Sequence, residues 1–240
     1  MKVCVIADNE YIYIQFLSMV KEGVFLGNDF DFFYSDTNLD FTSKYNGEKF
    51  FPINLQAQSH NFFDLYDVFL SLHSKQIFPH QLVSKKLCIN VHPGYNPYNR
   101  GVFPQVFSII NKHPVGVTIH KMDAELDHGP IFFRREIPVY DWDTSFDVYK
   151  RIQELEIVMI RDCLPQILCN AVQEFSAESE GNLNYKKDFL QLCEIDLNQI
   201  CTYGEAIDRL RAMTFEGYHN AFFITEENRK VYVQLKLIPE

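Results

Sequence analysis

The stretch LCINVHPGYNPYNRG at residues 87–101 decides how this chain is expected to fold. Its apolar beginning, residues 87–91, is typical of a buried strand, and Asn90 and His92 stand two residues apart at the end of that strand. Residues i and i+2 of a strand point to the same side, so the amide and the imidazole are expected to project from one face. The sequence therefore places two polar side chains together at a strand end.

A second stretch, GVTIHKMDAELDHGPI at residues 116–131, adds a carboxylate. It begins with apolar, strand-like residues, continues through a turn that holds Asp127, and ends where a new apolar run starts at Ile131. An amide, an imidazole and a carboxylate, each at a strand end or in a turn, suit polar acyl chemistry. Taken alone, Asn90, His92 and Asp127 are also ordinary turn and loop residues.

The rest of the first 170 residues alternates between strand-like and helix-like patterns. Strands are predicted at about residues 3–7, 30–34, 49–53, 68–72, 87–91, 115–120 and 131–137. Helices are predicted at about residues 11–21, 104–110 and 144–168, the first capped by Asp8 or Asn9 and the last kinked or ended by Pro165. This alternation predicts an α/β fold with an open, mostly parallel, Rossmann-like sheet, in which ligands bind at the carboxyl ends of the strands. No GxGxxG follows the first strand, so the dinucleotide fingerprint is absent.

A polar connection at residues 175–183 predicts a boundary in the chain. We expect a catalytic domain at residues 1–175 and a small C-terminal appendage at residues 176–240. The appendage is predicted to contain a helix at residues 203–213 and a β-hairpin with strands at 221–225 and 231–238.

Composition limits the classes of function. The net charge is −10 and the pI is about 5.3, and no block of Lys or Arg stands out, so nucleic acid is not an expected partner. The six cysteines show no C-x-x-C spacing, which favours reduced thiols. Neither a signal peptide nor an apolar run of about 20 residues is present, so we expect a cytoplasmic protein that does not bind a membrane.

The two stretches together resemble the folate-dependent formyltransferase family. The motifs that carry this resemblance are Asn90-Val91-His92, Arg100-Gly101, the G-x-T-x-H of residues 116–120 and the D-x-G-x-I of residues 127–131. HPGYNPYNRG, together with SLHSKQIFP at 71–79 and RAMTFEGYHNAFF at 211–223, is similar to the sugar-nucleotide branch of that family. Val102 departs from it, since a larger aromatic residue is expected there.

The resemblance implies a reaction. The chain would transfer a formyl group from N10-formyltetrahydrofolate to the amine of a dTDP-linked 4-amino-4,6-dideoxyhexose, for a surface polysaccharide such as O-antigen. A 3-amino-3,6-dideoxyhexose is the alternative substrate, and a non-catalytic, ligand-binding module is the alternative class. A tRNA substrate is disfavoured because only about 60 residues, acidic on balance, follow the polar connection.

Roles for the three polar residues follow from this reaction. Asn90 could donate an N–H to the oxyanion, and His92 could take the proton from the amine. Asp127 could hold the imidazole and raise its pKa. No metal ion is expected, since the spacing of His92, His120 and His128 matches no common site.

The resemblance also implies substrate contacts and an assembly. Folate is expected to bind at Ser74, Lys75, Gln76 and Phe78. The sugar nucleotide is expected to contact Asn9, Tyr11, Lys75, Phe215, Tyr218 and Asn220, with Phe215 and Tyr218 as candidates to stack on thymine. Sugar formyltransferases are often dimeric, so a homodimer is expected.

Overall fold

A computed structural model describes residues 1–45 and 49–240 of the chain. The strands are β1 (Lys2–Ala7), β2 (Asp29–Ser35), β3 (Phe50–Ile53), β4 (Val68–Leu72), β5 (Leu87–His92), β6 (Arg100–Gly101), β7 (Val115–Lys121), β8 (Ile131–Ile137), β9 (Leu183–Asn184), β10 (Thr214–Phe215), β11 (Tyr218–His219), β12 (Ala221–Ile224) and β13 (Lys230–Val233). The helices are α1 (Glu10–Lys21), α2 (Leu39–Lys44), α3 (His60–Phe63), α4 (His80–Val83), α5 (Pro104–Asn111), α6 (Ser145–Leu168), α7 (Lys186–Cys193) and α8 (Tyr203–Met213).

A seven-stranded sheet runs in the order β3-β2-β1-β4-β5-β7-β8. The neighbours from β3 to β5 are parallel, and β7 is antiparallel to β5. The strand order reverses between β1 and β4, and ligands bind at such a switch point, outside the carboxyl ends of the strands. Asp8, His73 and His92 stand at the carboxyl ends of β1, β4 and β5 respectively. The predicted α/β architecture is confirmed.

Helix α1 begins where the sequence indicates. Asn9 has an extended backbone, and its side-chain oxygen accepts the N–H of Ile12 at 3.1 Å, which is the geometry of an N-cap. Ile12, Phe16 and Met19 lie on one face of the helix and are buried. The cap fixes where the first helix leaves the carboxyl end of β1.

The C-terminal region contains more structure than predicted. Helix α8 and the hairpin of β12 and β13 are present, but α7 was not anticipated; Asp188 supports its start by accepting the backbone N–H of Tyr185 at 2.7 Å. Strand β13 also ends at Val233 rather than near residue 238. The next residues turn away from the hairpin: the Gln234 side chain donates to the Tyr218 carbonyl, and the Leu235 N–H donates to Thr214 Oγ1.

Helix α6 passes through Pro165 and ends at Leu168. Its acidic first turn includes Asp147, whose carboxylate accepts the Thr144 N–H at 3.0 Å, so the start predicted near residue 144 agrees with the structure. Among the described residues, no helix has both the length and the apolar character needed to cross a membrane.

The described residues form two compact units. One comprises residues 1–92, 117–134 and 155–178, and the other comprises residues 93–116, 135–154 and 179–240. The first unit contains most of the sheet and the polar strand ends. A division of the chain into domains at residues 175 and 176 stays a prediction.

Candidate active site

The three polar residues singled out in the sequence lie together in the first unit. Asn90 Nδ2 donates a hydrogen bond to Asp127 Oδ1 at 2.9 Å, and His92 Nδ1 lies 3.5 Å from Asp127 Oδ2. Asn90 and His92 are buried, and Asp127 is partly buried, with its side chain 9% exposed. Because the carboxylate contacts both partners, it fixes the amide and the imidazole relative to each other.

The turn that carries Asp127 is sterically demanding. Asp127 adopts a left-handed backbone with φ of 48°, a conformation that a short polar side chain tolerates. A Cβ on Gly129 would lie 2.0 Å from the carbonyl oxygen of Lys121, so the close approach of the turn to β7 requires glycine. Asp123 accepts the N–H of Glu125 at 2.9 Å, which makes it a turn residue.

His120 joins this cluster, although the sequence analysis gave it no role. The antiparallel register of β5 and β7 places it opposite Asn90. Its Nδ1 donates to the Lys121 carbonyl at 3.0 Å, and its Nε2 lies 3.4 Å from Asn90 Nδ2 and 3.7 Å from Asp127 Oδ1. The signal was present in the G-x-T-x-H motif, but it required the register of two strands to be known.

Electrostatics corrects one expectation about His92. The pKa of His92 is lowered to about 4: burial has the largest effect, Asp127 opposes it, and His120 and His73 add to the lowering. Asp127 therefore acts in the direction expected, but burial outweighs it and the net change is downward. The imidazole is neutral at pH 7. With Nδ1–H directed to Asp127, the lone pair is on Nε2, which is buried and has no hydrogen-bond partner among the described residues.

A buried carboxylate ties together the ends of β1, β2 and β4. Asp8 accepts hydrogen bonds from the Ser35 backbone, from Asn38 Nδ2 at 2.9 Å and from the Lys75 backbone at 2.7 Å, and it also contacts the Ser35 hydroxyl. The sequence analysis treated Asp8 only as a possible helix cap. Its hydrogen bonds show that it braces the loop that follows β4.

The residues predicted to bind folate lie in that loop. Ser74 Oγ accepts the Gln76 N–H at 3.2 Å, and the Gln76 side chain accepts the Leu55 N–H and donates to the Ile53 carbonyl. Phe78 is buried in an apolar cluster. The side chains of Gln76 and Phe78 therefore support the loop, which is compatible with a folate contact made by backbone groups.

The residues predicted to bind the sugar nucleotide lie in both units. In the first unit Asn9 caps α1, Tyr11 is exposed on that helix, and the side chain of Lys75 is exposed. A diphosphate near Lys75 would meet a cation that is accessible to solvent. The carboxylate of Asp8 lies in the same region and opposes an anion there.

In the second unit Phe215 and Tyr218 flank a tight turn. Gly217 has φ of 80°, and β10 and β11 pair Phe215 with Tyr218. Phe215 packs against Phe146 and Tyr149, whereas Tyr218 is 63% exposed. Of the two candidate rings, Tyr218 is thus the one that faces solvent. Asn220 donates its side-chain N–H to the Met213 carbonyl at 3.1 Å.

No group of three or more His, Cys, Asp or Glu side chains suited to holding a metal ion occurs in residues 1–45 and 49–240. His92 and His120 approach each other with ring centroids 6.3 Å apart, but their nearest carboxylate, Asp127, is occupied by Asn90.

Two family models match the sequence. Residues 66–164 match a formyl transferase model, and residues 188–239 match a model of an N-formyltransferase dimerization C-terminal domain. The first match contains the Asn90, His92 and Asp127 cluster. The second contains α8 and both small hairpins.

Similar proteins and similar solved structures are also formyltransferases. A dTDP-4-amino-4,6-dideoxyglucose formyltransferase of Mycobacterium tuberculosis is 49% identical over 175 residues, which cover 73% of this chain and 75% of the relative. A crystal structure of a 4-N formyltransferase from Francisella tularensis has a TM-score of 0.93 and 42% identity, covering 100% of this chain and 98% of that one. A sugar N-formyltransferase from a Shewanella species also has a TM-score of 0.93, with 39% identity, 100% coverage of this chain and 99% of that one.

Proposed function

The chain belongs to the formyltransferase family and is a sugar N-formyltransferase, and from this premise we propose its substrates. The formyl group of N10-formyltetrahydrofolate is transferred to the 4-amine of a dTDP-linked 4-amino-4,6-dideoxyhexose, with dTDP-4-amino-4,6-dideoxyglucose as the favoured acceptor. The observation that carries this proposal is the 49% identity to a dTDP-4-amino-4,6-dideoxyglucose formyltransferase.

Asn90 is assigned to the oxyanion. When the amine attacks the formyl carbon, negative charge develops on the formyl oxygen and requires a donor. One N–H of Asn90 is held by Asp127 at 2.9 Å, while the other makes only a long contact of 3.4 Å with His120 Nε2. This second N–H can be redirected at little cost, so it is the one assigned to the oxygen.

His92 is assigned to proton transfer. Attack by the amine leaves an ammonium that must lose a proton before the C–N bond to folate breaks. The neutral ring offers the lone pair of Nε2, and this buried atom has no competing partner among the described residues. Asp127, 3.5 Å from Nδ1, stabilises the imidazolium that results, and the imidazolium can give the proton to N10 of folate as the C–N bond breaks. These roles need no covalent intermediate on the protein.

Substrate binding is assigned to the predicted contacts. The loop that contains Ser74, Lys75 and Gln76 is braced by Asp8, which supports its role as a rigid backbone site for the pterin of folate. For the nucleotide, the first unit offers Lys75 as an accessible cation for a diphosphate. The second unit offers Tyr218 as an exposed ring for thymine.

The two alternative readings have less support. A 3-amino sugar remains a separate acceptor to test, but the relatives with 49% and 42% identity are named for the 4-amine. A non-catalytic module would have no need for an amide, an imidazole and a carboxylate in mutual contact, and here they are in contact.

The test is mass spectrometry of product. Purified protein is incubated with N10-formyltetrahydrofolate and, in separate reactions, with the dTDP-4-amino and the dTDP-3-amino sugar. We expect a gain of about 28 Da, the mass of a formyl group replacing hydrogen, on the 4-amino sugar at a much higher rate. Formylation of neither sugar would overturn the proposal, and preference for the 3-amine would correct the acceptor.

We further propose that residues 188–239 mediate a homodimer, in line with the dimerization domain that they match. The molar mass from light scattering should then be close to twice 28.2 kDa. All six cysteines are free thiols, which fits a reducing compartment, and we assign the reaction to the cytoplasm and its product to surface polysaccharide synthesis.

A further inference from the structure

An ion pair at the carboxyl end of β4 has no part in the chemistry proposed above. His73 Nε2 lies 2.8 and 3.0 Å from the two carboxylate oxygens of Glu156, a fully buried residue of α6. A buried carboxylate is costly unless it is paired. His73 also adopts a left-handed backbone with φ of 59°, which is unfavourable for this residue type. The buried carboxylate of Glu156 and the left-handed backbone of His73 both cost free energy, and the two residues that carry these costs are in contact.

The position of His73 relates it to His92. The parallel register of β4 and β5 pairs Leu72 with Val91, so the residues that follow, His73 and His92, lie at the carboxyl ends of two neighbouring strands. Two residues further on, the Lys75 N–H is held by Asp8 at 2.7 Å, which fixes the loop. A charge on His73 is thus held in place at the strand end next to that of His92.

The groups around the pair favour this charge. Burial lowers the pKa of His73, but the carboxylates of Glu156 and Asp8 raise it more, and the net change is upward. On the other side, the charge of His73 is one of the causes that lower the pKa of His92, together with burial and His120, against the opposing effect of Asp127. The charge of His73 therefore contributes to the low pKa of His92.

Given the proposed function, on which this inference rests, we propose that His73 is a positioning residue: held by Glu156, it places a fixed positive charge at the strand end next to that of His92 and adds to burial in disfavouring protonation of that imidazole. The alternative is a purely structural brace for the loop after β4. A brace would affect stability and folate affinity, but it would leave the titration of His92 unchanged.

The first test uses the wild-type protein and ¹⁵N NMR of its eight histidines, assigned with single His→Asn variants. We expect both ring nitrogens of His73 to carry protons at pH 7 and His92 to be neutral there. A neutral His73 at pH 7 would overturn the proposal. The variants of the other seven histidines assign the His73 signal by elimination, so this measurement requires no variant at position 73 or 156 to remain native.

The second test is Glu156→Gln, which keeps the shape of the side chain and removes its charge. Without the carboxylate, His73 should lose its proton, and the titration midpoint of His92 should rise by about one pH unit, the low end of the effect of a nearby charge. The acid limb of the pH profile for formyl transfer should move with it. His73→Asn, which tolerates the left-handed backbone, should shift His92 in the same direction.

Glu154→Gln is the matched control, because it removes one carboxylate from an exposed position of the same helix. It should leave the His92 titration as in the wild type. An unchanged His92 midpoint in folded Glu156→Gln protein would show that the pair is only a brace. Because the NMR titrations need no substrate, they remain decisive even if no dTDP-amino sugar is formylated, an outcome that would count against the proposed function alone.

Discussion

The carboxyl ends of β4 and β5 and the small hairpin of β10 and β11 are built in opposite ways. At the strand ends, polar side chains far apart in sequence meet in buried or partly buried contacts: Asn90 and His92 contact Asp127, and His73 contacts Glu156. In the hairpin, Phe215 and Tyr218 are neighbours in sequence and one of them faces solvent. Burial sets the protonation state of a reacting group, whereas a stacking platform has to be accessible. The difference separates a region suited to chemistry from one suited to binding.

The largest expected effect comes from His92→Asn. If His92 moves the proton, turnover should fall by about 10²–10⁴-fold, while the fold and the binding of both substrates are retained. Steady-state kcat with both substrates saturating, and calorimetric binding of dTDP and folate, would measure this. His60→Asn, at an exposed histidine, serves as the control. A rate near that of the wild type for His92→Asn would show that another group accepts the proton.

Asn90→Ala tests the oxyanion assignment. Loss of the donor should raise the barrier by about 3–4 kcal/mol, a decrease of roughly 10²–10³-fold in kcat. Binding of the dTDP-sugar should change little, since the hydrogen bond strengthens only as charge develops. If affinity for the dTDP-sugar falls and kcat is retained, Asn90 is a ground-state binding residue instead.

Asp127→Asn should lower the rate less than the two changes above, and it should lower the pKa of His92. Asp127 raises the pKa of His92 against burial, so replacing its charge should bring the midpoint below about 4 and weaken the base by roughly 10–100-fold. This shift is opposite to the one expected for Glu156→Gln. Measuring the His92 titration by NMR in both variants would check the two signs together. An unchanged titration and rate would leave Asp127 as a turn residue only.

The sequence predicted the sheet well because its strands are short apolar runs closed by polar turns. Residues 68–72 and 131–137 match β4 and β8 residue for residue. Contacts that depend on tertiary structure were harder to predict from the sequence. Glu156 reads as one more position of a long amphipathic helix, and only the folded chain shows that it is fully buried against His73.

For the site, too, local sequence patterns could be read from the sequence, whereas contacts that depend on tertiary structure could not. Asn90, His92 and Asp127 were found because they lie in motifs that resemble a family. His120 required the register of β5 against β7, and the lowered pKa of His92 required its burial, which no local pattern reports. Helix α7 was missed because its eight residues, KKDFLQLC, are too few for a helical period to be read.

The smallest effect is expected in the hairpin, and it should fall on affinity. If Tyr218 stacks on thymine, Tyr218→Ala should weaken dTDP binding by about 1–3 kcal/mol, by analogy with bases stacked on aromatic side chains. Tyr218→Phe keeps the ring and should bind dTDP as the wild type does. Phe215→Ala should instead lower the free energy of unfolding, because that ring packs against Phe146 and Tyr149.

Calorimetry with dTDP and with folate separates these outcomes, since folate binding should be nearly unchanged in both alanine variants. The hairpin and the strand ends should differ most in kcat. At saturating substrate, Tyr218→Ala should have a kcat close to that of the wild type, whereas His92→Asn should not. If both Phe215→Ala and Tyr218→Ala remain folded and bind dTDP as the wild type does, the thymine site lies elsewhere. The exposed ring would then be better explained as part of the dimer contact, and the molar mass of Tyr218→Ala from light scattering would decide that.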